Sequence, residues 1–86
     1  TGGLVDELVF LRGVEVGLLL TERGDGRVRI SLRSRGGIDV AAIAQSLARG
    51  GGGHAQAAGA VVVGRLRVVE QAAVAAVEAA LIPQSE

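Results

Sequence analysis

Four consecutive glycines, Gly50 to Gly53, run directly into the only histidine of the chain, His54, and then into Ala55-Gln56-Ala57-Ala58-Gly59. No other stretch restricts the possible folds as much. A backbone without β-carbons enters φ > 0 regions closed to other residues. Successive N–H groups in such a turn can converge into an anion-binding nest. An imidazole beside them can donate to an anion or stack on a ring. Ala57, Ala58 and Gly59 let the backbone pack closely beneath. A phosphate next to an imidazole is the ligand this stretch suggests. The plain alternative is a flexible linker, but linkers run longer and alternate glycine with serine, whereas this run joins two well-patterned segments.

Those segments set the expected fold. Val14, Val16, Leu18 and Leu20 alternate along one strand. Val28, Ile30 and Leu32 alternate along a second, with Arg27, Arg29, Ser31 and Arg33 on its other face. Gly24-Asp25-Gly26 between them predicts a turn and hence an antiparallel hairpin. Gly36-Gly37 ends the second strand. Asp39 stands where a helix cap belongs, and Val40, Ile43, Ala44 and Leu47 share one helical face. After His54 a short turn of helix is expected. Ala60 to Val63 reads as a buried strand closed by Gly64. Leu66, Val69, Ala73, Val77 and Leu81 mark a long helix that Pro83 stops.

At the other end, Leu4, Leu8 and Leu11 recur at helical spacing, with Asp6 and Glu7 where acids suit the helix dipole and Gly13 as a C-cap. Residues 1–13 are therefore read as the helical tail of a preceding, absent domain. Residues 14–83 are read as the folded domain and 84–86 as a frayed end. The expected fold class is α/β, a small mixed β-sheet packed with helices. The helix between the second and third strands permits a right-handed crossover.

Composition narrows the function. Eighty-six residues make one small domain. Nine arginines balance nine acidic residues and there is no lysine, which excludes duplex binding driven by strong positive charge. Phe10 is the only aromatic residue, so a stacking platform for single strands is not available. Without cysteine there is no disulfide framework, Cys-based metal site or thiol nucleophile. One histidine without a ligand cluster does not make a metal site. A Walker-type loop needs the lysine this chain lacks, and Gly-x-Gly-x-x-Gly is not met before His54. No apolar run reaches membrane-spanning length, and the expected location is cytoplasmic.

Gly51-Gly52-Gly53-His54-Ala55-Gln56-Ala57-Ala58-Gly59, preceded by Ser31-Leu32-Arg33-Ser34 with a helical segment between, resembles the DHHA1 domain of DHH-family phosphoesterases. The resemblance extends over residues 13–81, nearly the whole chain. It implies that Arg33 and His54 hold a nucleotide substrate, together with Ser31, Ser34, Gly51, Gly52 and Gly53. A guanidinium at Arg33 can fork onto two phosphate oxygens. Arg35 crowds the same end of the strand, whereas Arg27 and Arg29 are read as surface.

The resemblance also implies an N-terminal Asp-His-His domain in the same parent chain, where manganese supports phosphodiester cleavage. The Asp-His-His motif is absent here, so no catalytic residue and no metal or cofactor is assigned to this chain. The parent would be a manganese-dependent phosphodiesterase or phosphatase, and a homodimeric parent stays open. Four glycines before the histidine and a complete Ala-Ala-Gly look most like the oligoribonuclease (nanoRNase)/pAp phosphatase branch, with short single-stranded RNA or pAp as ligand. The cyclic-dinucleotide branch often departs from the final glycine. Two alternatives remain. One is the substrate-binding domain of a single-strand DNA exonuclease, a branch with fewer glycines. The other is an RNA-binding module like the C-terminal domain of alanyl-tRNA synthetase, against which His54 and its short spacing to Ala57-Ala58-Gly59 argue.

Overall fold

The structure, a computed structural model, describes residues 6–11, 16–35 and 37–81. Its elements in chain order are β1 (Asp6–Leu11), β2 (Val16–Glu22), β3 (Arg27–Ser34), α1 (Val40–Leu47), β4 (Gly52–His54), β5 (Ala57–Val63) and α2 (Leu66–Leu81). The strands form one sheet in the order β1-β2-β3-β5-β4.

The two alternating strands behave as their pattern demands. Val16, Leu18 and Leu20 of β2 and Val28, Ile30 and Leu32 of β3 are all fully buried. They meet Val40, Ile43 and Ala44 of α1 and Val69, Ala73 and Val77 of α2. Burying each such aliphatic side chain contributes roughly 1.5–3 kcal/mol, so this single layer contact holds the domain together. Asp39 caps α1 as expected, its carboxylate accepting from the N–H of Ala41 (3.0 Å) and Ala42 (3.3 Å). Both helices lie on one face of the sheet, with α1 against β3, β4 and β5 and α2 against β2, β3 and α1.

The α/β layer is the expected class, but four details differ from the sequence expectation. Residues 6–11 are a strand, not part of a helix: β1 pairs antiparallel with β2, Asp6 opposite Thr21 and Leu11 opposite Val16. Leu8 and Leu11 stand at helical spacing and fall on opposite faces of the strand. Val9 and Phe10 favour strands, and the open edge of β2 supplied the backbone partner that decides it. Second, all four strand pairings are antiparallel, so the sheet is not mixed. The chain returns through α1 and then reverses in the short β4, which delivers β5 antiparallel to β3.

Third, no helical turn follows His54. Ala55 and Gln56 form a tight turn pinned from both sides: Val40 N–H donates to the Ala55 carbonyl (2.8 Å) and Ser34 N–H to the Gln56 carbonyl (3.0 Å). Fourth, β5 is covered on one face only. Ala60 is buried, but Val61 is 41% and Val63 is 78% exposed, because no described element packs on that side of the sheet. Gly13 as a C-cap, Val14 on the strand face, Gly36 in the break, Pro83 as a helix stop and the frayed 84–86 lie outside the described residues.

Candidate ligand-binding face

The uncovered face of the sheet gathers most of the proposed site. Strand register sets Arg33 opposite Ala57, Ser31 opposite Gly59, Arg29 opposite Val61 and Arg27 opposite Val63. On the next strand Gly52 pairs with Gly59 and His54 with Ala57. One row across the sheet is therefore His54, Ala57 and Arg33, and the adjacent row is Gly52, Gly59 and Ser31. Two glycines and an alanine beside two arginines leave a trough of about 250 Å³, with Arg29, Ser31 and Arg33 on one side and Gly52, Gly53 and Gly59 on the other.

The trough brings together Ser31, Arg33, Gly52 and Gly53 among the residues singled out from sequence. His54 is exposed and stands at its end, in the Arg33 row. Ser34 is not part of it. It is only 9% exposed and shares strand parity with Leu32, which puts it on the helix-covered side. Arg35 is exposed beyond the end of β3 and does not line the trough. Arg29, read as surface, lines it. Arg29 and Arg27 look alike in the sequence; what separates them is their distance from Gly59 on the neighbouring strand.

The glycines are not a nest. Gly52 and Gly53 are strand residues, and successive N–H groups of a strand point in opposite directions. Gly51 N–H donates inward to the Ala48 carbonyl (2.9 Å). The remaining directions follow from two bonds on the β3–β5 register: Ser34 N–H to the Gln56 carbonyl and Gly64 N–H to the Gly26 carbonyl. Bonded residues alternate along an antiparallel ladder. Ala58, Ala60 and Val62 therefore bond to β3, while Ala57 and Gly59 turn to β4. Gly52 and His54 bond back to β5, and Gly53 N–H alone points out from the sheet edge.

Each glycine has its own steric reason. A β-carbon at Gly51 would lie 2.2 Å from the Ala44 carbonyl oxygen. Gly52 (φ +155°) and Gly53 (φ +143°) hold backbone conformations that side chains disfavour, and a β-carbon at Gly53 would also meet the Ala57 oxygen at 2.7 Å. Gly50 has open space around it and no such φ.

A family model of the DHHA1 domain matches residues 1–82. This chain belongs to the DHHA1 family. A curated relative, the cyclic-di-AMP phosphodiesterase GdpP of Geobacillus thermodenitrificans (strain NG80-2), is 47% identical over 49 residues. That match covers 57% of this DHHA1 chain and 7% of the relative, so the shared stretch is a small part of a much longer protein. Among the described residues there is no group of three His, Cys, Asp or Glu side chains that could hold a metal ion. Among them there is also no helix long and apolar enough to cross a membrane.

Proposed function

We propose that this DHHA1 domain is the substrate-binding part of a metal-dependent phosphoesterase, and that its open sheet face holds the phosphate of a short oligoribonucleotide or of pAp. The observation that carries the reading is the trough itself, in which Arg29, Ser31 and Arg33 face a floor kept low by Gly52 and Gly59. A guanidinium offers paired N–H donors to phosphate oxygens, and a hydroxyl donates a further hydrogen bond. His54, at the end of the trough, supplies a donor from the other side. Ser34 and Gly51 act beneath the face, holding β3 and the α1–β4 connection in place. Cleavage belongs to an Asp-His-His domain elsewhere in the parent chain, where the manganese would be held; no step of it is assigned to these residues. The parent is read as cytoplasmic.

The name of the relative favours a second ligand, cyclic di-AMP. Calorimetric titration with pAp, pApA and cyclic di-AMP separates the two, since tightest binding of cyclic di-AMP would move the assignment to it. In the same titration Arg33→Lys is expected to weaken pAp binding about tenfold, because an ammonium cannot form the paired contact. Arg27→Lys, whose side chain lies a row beyond the trough, should leave affinity within about twofold. Equal effects of the two substitutions would place the ligand elsewhere.

A further inference from the structure

We propose that β1 is an interface: its free edge pairs antiparallel with β1 of a second copy of this chain, joining two five-stranded sheets into one. The interface does not depend on the phosphate reading, since it lies at the opposite end of the sheet from β4.

The free backbone groups of β1 follow from the ladder. Leu32, Ile30 and Val28 of β3 bond to β5, so Arg33, Ser31 and Arg29 bond to β2. Their partners there are Gly17, Leu19 and Thr21, which leaves Val16, Leu18 and Leu20 to bond to β1. In β1 those bonds fall on Leu11, Val9 and Glu7. The N–H and carbonyl groups of Asp6, Leu8 and Phe10 therefore point outward, where the sheet has no further strand. Sheet edges are ordinarily protected by short strands, proline, lysine or a bulge. β1 has six residues, an unbroken register with β2, and neither proline nor lysine. The other edge strand, β4, has three residues and is protected by its shortness.

The sequence of β1 selects the occupant. Its acids stand at one end and its apolar residues at the other, so the strand complements its own reverse. Only Asp6, Leu8 and Phe10 bond outward, so two copies meet about a two-fold axis in few ways. An axis at Glu7 sets that carboxylate against its own counterpart, and like charges directly opposite repel. An axis at Val9 bonds Leu8 with Phe10 and leaves Asp6 without a partner in β1. An axis at Leu8 bonds Leu8 with the partner's Leu8 and Asp6 with the partner's Phe10, using every outward group and setting no acid opposite an acid. That axis also extends a row on the open face. Leu19, opposite Leu8 in register, is 39% exposed, and the joined row runs Leu19, Leu8, the partner's Leu8 and the partner's Leu19. It continues to Ser31 on each side. The two troughs therefore open on the same face, about 24 Å apart across strand spacings of about 4.8 Å.

Sedimentation equilibrium from about 10 µM to about 1 mM should show a reversible dimer, half formed near about 0.1 mM, as suits a small edge contact. Leu8→Lys sets two ammonium groups against each other at the axis and should stay monomeric throughout. The chain has no cysteine, so single cysteines report the register. Bonded antiparallel pairs stand about 5.5 Å apart at Cα, within disulfide reach. Oxidised at one concentration, Leu8→Cys should cross-link about tenfold faster than Asp6→Cys or Phe10→Cys, whose counterparts stand well away from the axis. Hydrogen exchange at the amides of Asp6, Leu8 and Phe10 should slow as concentration rises. A wild type monomeric to about 1 mM, a Leu8→Lys that associates like the wild type, or equal cross-linking at the three positions overturns the interface.

Discussion

Gly51→Ala is expected to destabilise the domain by about 3 kcal/mol, whereas Gly50→Ala, one residue earlier in the same run, should stay within about 0.5 kcal/mol of the wild type. The β-carbon at position 51 would lie 2.2 Å from the Ala44 oxygen and 2.7 Å from its carbonyl carbon, with the Ala48 oxygen at 3.2 Å. These are backbone atoms at the end of α1, so no rotamer change can relieve the clash. The helix end would have to move, along with the Gly51-to-Ala48 hydrogen bond that closes it. Urea denaturation of both variants reads the difference as a shift in midpoint at constant slope. Equal midpoints would mean that the chain between α1 and β4 is not held as described.

The largest expected effect on binding is that of Gly59→Val. Gly59 lies between Ser31 and Gly52 in register, at the centre of the trough floor. Its φ is ordinary, and a β-carbon would sit 3.3 Å from the Ile30 carbonyl oxygen, a contact that a shift of a few tenths of an ångström relieves. Valine is also a good strand residue. The variant should therefore fold while its side chain occupies the place of the ligand, lowering pAp affinity about a hundredfold. Calorimetry for binding, alongside a thermal melt for folding, checks both halves. A folded Gly59→Val that binds pAp like the wild type would remove the trough from the account.

The core was legible because β2 and β3 are covered on one side only. That condition makes Val16, Leu18, Leu20, Val28, Ile30 and Leu32 alternate with polar or exposed neighbours, and the alternation survives in the sequence. The same parity also assigns Ser34 to the face of Leu32, a signal that motif matching overrode. β1 was not legible, since leucines three apart at positions 8 and 11 follow the helical period and fall on opposite faces of a strand, and only the free edge of β2 decides. β4 could not be read either: two of its three residues are glycine, whose propensity favours no element. The glycines differ in role according to which backbone passes nearby, Ala44 for Gly51 and Ala57–Ala58 for Gly53. Those neighbours are set by register and not by order along the chain. The part played by Arg29 was hidden for the same reason.

The central claim is that the open sheet face, and not the helical side, holds the phosphate. An amide-correlation NMR titration of the isotope-labelled chain with pAp tests it most directly. The account predicts saturable shifts at Ser31, Arg33, Gly52, Gly53 and Gly59, with the amides of α2 unmoved. Shifts concentrated on α2, or none at these five positions when pAp binding is saturated, would contradict it.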